Sequence, residues 1–185
     1  DKYEGHIIMA DYGVPIPTGD HRLQCLYASI ETQIDIIAFK HHTYARTGKK
    51  VNTSMGVNTG FVSAGNMGSD KKMQYTIMGD TVNTAARFRP ANWIYDYLGS
   101  IIIGESTYPY VKDIIQTRQL DRLLLKGKLK PVNIYQVLGW DPETYMATRG
   151  LEDVTETLQV IWADHCPPEK IYGYQRLWEE QFQRT

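Results

Sequence analysis

Residues 55–88 read MGVNTGFVSAGNMGSDKKMQYTIMGDTVNTAARF, and the order of residue types in this stretch decides the fold. It predicts a strand, a Gly-rich hairpin, a second strand over Met73–Met78, and a helix opened by Gly79-Asp80 and running towards Tyr97. Gly60, Gly65 and Gly68 are expected to serve backbone turns, and Asp80 to cap the helix. Asn83 and Arg87 stand four apart and share one helix face. An amide and a guanidinium projecting together beside a strand end suit a polyanionic ligand.

Working outward towards the start, one strand is expected over about 52–64, preceded by a helix that Gly48 ends. Asp20 is placed to cap that helix, whose stripe is Leu23, Leu26, Ile30, Ile34 and Ile37. Gly13-Val-Pro-Ile-Pro17 separates it from a short apolar strand over His6–Tyr12, with Gly5 marking a tight turn. On the other side, Gly99 closes the second helix and Ser100–Ile103 reads as a buried strand. Pro109 limits a short helix over Glu105–Val111. Strands over Thr117–Leu125 and Val132–Leu138 flank Lys126-Gly127-Lys128. The sum is an α/β (α+β) sandwich with a mixed, mostly antiparallel sheet.

From Trp140 the pattern changes. Leu151, Val154, Leu158, Ile161 and Trp162 make one amphipathic stripe, and Tyr174, Leu177, Trp178 and Phe182 a second, with Pro167-Pro168 between. The chain therefore divides into a domain over 1–139 and a helical extension over 140–185.

Twenty basic residues against 21 acidic ones in a chain of 185 leave a formal charge of -1. Such a balance gives no electrostatic drive towards a nucleic acid polymer or an anionic bilayer. Two cysteines, Cys25 and Cys166, make no disulfide framework and no metal-ligand spacing, which points to a reducing compartment. No run approaches the roughly 18 apolar residues that span a membrane. The sequence starts at Asp1 without a methionine and is read as a piece of a larger protein: a cytoplasmic domain, with membrane association of the parent left open.

The segment Gly79-Asp-Thr-Val-Asn83 followed by Arg87 resembles the signature of the class III adenylate/guanylate cyclases. Asp1-Lys-Tyr-Glu-Gly-His-Ile-Ile-Met-Ala10 is similar to a family strand–turn–strand that usually reads Lys-x-x-Gly-Asp before an apolar Met-Ala segment. Leu125-Lys-Gly-Lys128 with Pro131-Val132 and Tyr135-Gln-Val137 resembles the family's closing hairpin. The resemblance runs from Asp1 to about Gly139, roughly three quarters of the chain. It implies a ferredoxin-like βαββαβ-type sandwich whose first strand is missing here. It also implies conversion of a nucleoside triphosphate to a cyclic nucleotide at the interface of a homodimer or a heterodimer with another cyclase domain.

On this resemblance Asn83 orients the ribose, Arg87 stabilises charge on the phosphoryl group, and Lys126 and Lys71 contact the phosphates. Lys2 and Thr76 take the two positions that choose the base. A lysine donates to adenine N1 and a threonine hydroxyl accepts from the exocyclic amine, so ATP is the implied substrate. The family carries two Mg or Mn ions on carboxylates, but the aspartate expected after Gly5 is His6 here. His6 reads either as a ligand for manganese or zinc or as a polar residue at a hairpin tip. Plainer readings also stand for Lys126, as a turn cation, and for Lys71, as part of a solvated turn. Two functions follow: an adenylate cyclase domain, or a catalytically impaired pseudocyclase that binds nucleotide or regulates a partner. A ferredoxin-like RNA-binding domain is disfavoured, because Thr59-Gly-Phe-Val62 lacks the basic residue and paired aromatics that role needs.

Overall fold

The computed structural model describes residues 1–51, 53–69, 71–94 and 101–140. From residue 141 onward the expected helical extension lies outside the described residues, as does the stretch 95–100 where Gly99 was to close the second helix. Strands β1 (Lys2–Glu4) and β2 (Ile7–Met9) form an antiparallel hairpin, turned at Gly5, whose φ of 59° needs no Cβ. Helix α1 (His21–Thr47) ends at left-handed Gly48, whose N–H closes on Tyr44 O at 2.8 Å. Asp20 makes no side-chain cap; its carboxylate accepts from Gln24 Nε2 at 2.8 Å instead.

The expected strand over 52–64 is two. Strand β3 (Met55–Val57) stops where Asn58 donates to Thr81 O at 3.1 Å and accepts from Ser106 Oγ at 2.7 Å. Thr81 Oγ1 in turn donates to Phe61 O at 2.9 Å, so this linker is tied to a helix start and not to a ladder. Strand β4 (Ser63–Ser69) then pairs with β5 (Lys72–Met78) in a two-stranded ribbon. Gly65 and Gly68 lie inside β4 and do not make the turn.

Helix α2 (Asp80–Ile94) follows directly, with Asp80 as its first residue instead of its cap. Strand β6 (Ile101–Gly104), a 3₁₀ turn at Tyr108–Tyr110 within the expected short helix, and strands β7 (Ile115–Leu123) and β8 (Val132–Trp140) complete the domain. The main sheet runs β3-β6-β8-β7, with β3 parallel to β6 and the other pairs antiparallel. This is the mixed, mostly antiparallel α+β class that the sequence predicts. No helix among the described residues is long and apolar enough to cross a membrane.

All four residues of β6 are buried, because both faces of the strand are covered. Ile101 and Ile103 join Leu26 and Ile30 of α1 in one cluster, whereas Ile102 joins Phe88 and Ala91 of α2 in the other. Strand alternation therefore sets the two helices on opposite faces of the sheet. Phe88 is fully buried and stabilises its face by about 2–3 kcal/mol. Gly56 lets α2 approach this closely: a Cβ there would lie 2.2 Å from Ala85 O.

Candidate functional site

Two groups of side chains project from this frame. At the first, β1 lies beside the ribbon and Lys2 Nζ donates to Thr76 Oγ1 at 3.2 Å. Thr76 is 7 % exposed on a strand whose other residues are mostly open, so it is the sheltered point of β5. Its hydroxyl donates to Asp1 Oδ2 at 2.8 Å, and the same oxygen accepts the Ile77 backbone N–H at 3.2 Å. Residues 75 positions apart are thus locked into one polar cluster. Sequence reading paired Lys2 with Thr76 but overlooked Asp1, which has no local pattern to reveal it.

The second group is built by α2 and the turn between β7 and β8. Asn83 is exposed on the first turns of α2, and Arg87 is half-buried one turn further on. The Arg87 guanidinium lies over Gly127: a Cβ at that glycine would stand 3.5 Å from Arg87 Nη2. Gly127 takes a φ of 78°, and Lys128 N closes the turn on Leu125 O at 2.9 Å. An ion pair between Lys128 Nζ and the Asp80 carboxylate fastens the same turn to the start of α2. Arg87 and the Lys126 turn are therefore brought together, with Asn83 on the same helix. Among the described residues no carboxylate pairs with Arg87 or Lys126.

Lys71 is exposed immediately before β5, at the far tip of the ribbon. At about 3.3 Å per residue it stands some 16 Å along the strand from Thr76. One chain does not bring it to the Lys2 cluster.

His6 sits exposed at the tip of the β1–β2 hairpin, with its Nε2 3.4 Å from Arg89 Nη1. A guanidinium only donates, so this contact takes up the imidazole lone pair that a metal would need. Among the described residues no three His, Cys, Asp or Glu side chains come together. Magnesium and manganese favour oxygen-rich sites, and the Arg89 guanidinium beside His6 opposes a second cation there. The residues present at this tip do not fit a divalent metal.

Away from these groups, burial pushes the Cys25 thiol up to about 11, with a Ser29 hydrogen bond acting weakly the other way. Burial and the stacked Tyr108, 4.1 Å between ring centroids, raise Tyr135. Tyr135 packs against the cluster under α1, and Cys25 lies on α1 itself.

Comparison with known proteins agrees with this frame. The family described as Adenylate and Guanylate cyclase catalytic domain matches residues 2–139. "Adenylate cyclase 1" of Rhizobium meliloti (strain 1021) is 28% identical over 138 residues, covering 75% of this chain and 20% of that protein. The adenylyl cyclase CyaB from P. aeruginosa is similar in structure at 32% identity and a TM-score of 0.62, covering 68% of this chain and 64% of that one. The guanylate cyclase domain of RhGC from Catenaria anguillulae, solved in complex with GTP, is similar at 30% identity and a TM-score of 0.57. That likeness covers 70% of this chain and 66% of the other. Relatives named for both nucleotides thus match, and this chain spans only a fraction of the length of its curated relatives. With most of its length matched, the chain belongs to the class III adenylate and guanylate cyclase catalytic domain family.

Proposed function

We propose that this domain binds ATP and, together with a second cyclase domain, converts it to cyclic AMP and pyrophosphate. The observation that carries the reading is the 3.2 Å hydrogen bond from Lys2 Nζ to Thr76 Oγ1. It sets a donor beside an acceptor, the complement of adenine N1 and its exocyclic amine. Guanine presents the reverse, an N1–H and a carbonyl oxygen.

In the proposed reaction the ribose 3′-hydroxyl loses its proton to solvent as its oxygen attacks the α-phosphorus, and the bond from that phosphorus to the pyrophosphate oxygen breaks. Asn83 holds the ribose so that the attack runs in line. Negative charge builds on the α-phosphoryl oxygens, and on this reading Arg87 donates to it. Its guanidinium lying over Gly127, with no carboxylate paired to it among the described residues, supports that role. Lys126 neutralises the leaving pyrophosphate, and Lys71 reaches the triphosphate from the opposite subunit. The carboxylate half of the site, which the His6–Arg89 pair does not provide, comes on this reading from a different cyclase domain. A cytoplasmic location, where ATP is available, belongs to the same proposal.

The His6–Arg89 contact also favours a second reading, a pseudocyclase that binds nucleotide and regulates its partner. Titration of the chain with ATP and GTP, alongside a cyclic AMP assay with and without an active cyclase domain, tests both readings. ATP is expected to bind more tightly than GTP, and Lys2→Glu combined with Thr76→Cys is expected to reverse that order. Equal or tighter binding of GTP by the unmodified chain overturns the adenine reading. Retained ATP binding, no product from this chain alone, and a partner rate that mixing changes equally with Arg87→Ala in this chain select the regulatory one.

A further inference from the structure

We propose that Asp1 is a positioning residue for base choice: it holds the Thr76 hydroxyl as a pure acceptor and so excludes guanine. The inference rests on the adenine reading of Lys2 and Thr76 and adds the residue that makes their chemistry one-sided.

A threonine alone is a poor discriminator. Its hydroxyl has one hydrogen and two lone pairs, and rotation lets it donate to a guanine carbonyl as readily as it accepts from an adenine amine. Here both neighbours remove that freedom. A carboxylate has no hydrogen, so in the 2.8 Å contact with Asp1 Oδ2 the Thr76 hydroxyl is the donor. An ammonium has no lone pair, so in the 3.2 Å contact with Lys2 Nζ the hydroxyl oxygen is the acceptor. The hydrogen and one lone pair are committed, and what remains is a single lone pair. That lone pair meets the exocyclic amine of adenine and faces the carbonyl oxygen of guanine with nothing to give.

Asp1 is itself held for the task. The oxygen that takes the Thr76 hydrogen also accepts the Ile77 backbone N–H at 3.2 Å, which fixes it against the edge of β5. Thr76 is 7 % exposed, so little water competes for its hydrogen. One carboxylate oxygen performs both functions, and the negative charge is not required for either. An amide oxygen in the same place would serve.

The test compares the unmodified chain with Asp1→Ala and Asp1→Asn, using calorimetric titration with ATP and with GTP. In Asp1→Ala the freed hydroxyl turns to donate to guanine, and the ATP-over-GTP ratio is expected to fall about tenfold, the worth of one hydrogen bond mismatch. Asp1→Asn is expected to restore the ratio to within about twofold, since a neutral acceptor replaces a charged one. A merely structural role would weaken both nucleotides alike, so an unchanged ratio in Asp1→Ala overturns the inference. An unmodified chain with no preference for ATP overturns the adenine reading and this inference together. An ATP-selective parent with an equally selective Asp1→Ala variant removes this inference alone.

Discussion

Replacing Gly56 with alanine should separate α2 from the sheet and displace Arg87, the residue proposed to meet the phosphoryl charge. A Cβ at this position would stand 2.2 Å from Ala85 O and 2.9 Å from Phe88 Cβ. Carbon and oxygen do not approach closer than about 3.3 Å without strain, so α2 must retreat by roughly 1 Å. The obstructing atom is backbone and cannot rotate away. Overpacking of this kind destabilises by about 1–3 kcal/mol, and the rigid neighbour places Gly56→Ala at the upper end. For a chain of this size that is a melting temperature lower by about 4–10 °C. The same retreat lifts Arg87 from Gly127, and a misplacement of about 1 Å in a positioned group can remove roughly 10²-fold of rate. Gly104→Ala is the control, because its new Cβ meets only side-chain atoms, the Phe88 ring edge at 2.7 Å and Asn58 Oδ1 at 2.9 Å, and side chains can turn where backbone cannot. Thermal melts and nucleotide titration of both variants make the measurement. If Gly56→Ala melts within about 1 °C of the parent and binds nucleotide as well, the packing argument is wrong.

Three further outcomes are expected. His6→Asp alone should gain little manganese affinity, because Arg89 would pair with the new carboxylate; adding Arg89→Gln should tighten manganese by about tenfold, read by electron paramagnetic resonance. Equal binding by the single and double variants would count against Arg89 as the obstacle. Lys128→Ala should change unfolding free energy by less than about 1 kcal/mol, since its Asp80 partner is mostly exposed, and a loss above about 2 kcal/mol in denaturant titration would contradict this. Cys25, with its thiol raised from 9.0 to about 11, should alkylate near pH 8 about 100-fold more slowly than a free thiol. The folded thiol binds its proton more tightly than the unfolded one, so stability is intact below pH 9 and falls as pH rises from there towards 11. Peptide mass spectrometry showing rapid modification at Cys25 would refute the burial assignment.

The parts of this domain legible in sequence are those with short-range causes. Gly48 needs only its left-handed φ to end α1, and Gly127 only its own to make the turn beside Arg87. Alternation and apolar runs placed β5, β6 and β8 to within a few residues. The split between β3 and β4 escaped because Thr81 and Ser106, 20 to 48 residues away, hold the linker in place. The same limit applies to the site. Lys2 and Thr76 were paired by likeness to a known family, whereas Asp1 on Thr76, Arg89 on His6 and Lys128 on Asp80 are contacts across the fold with no periodicity to announce them.

Strand β6 has a consequence for how such a domain diversifies. Its odd-numbered isoleucines belong to the layer under α1, whereas Ile102 and Gly104 of the same strand face Phe88. Sequence drift at Ile101 and Ile103 can therefore adapt the α1 layer to new surroundings while the layer under α2 keeps its floor. The price of that independence falls on Ile102 and Gly104, which have no freedom to follow.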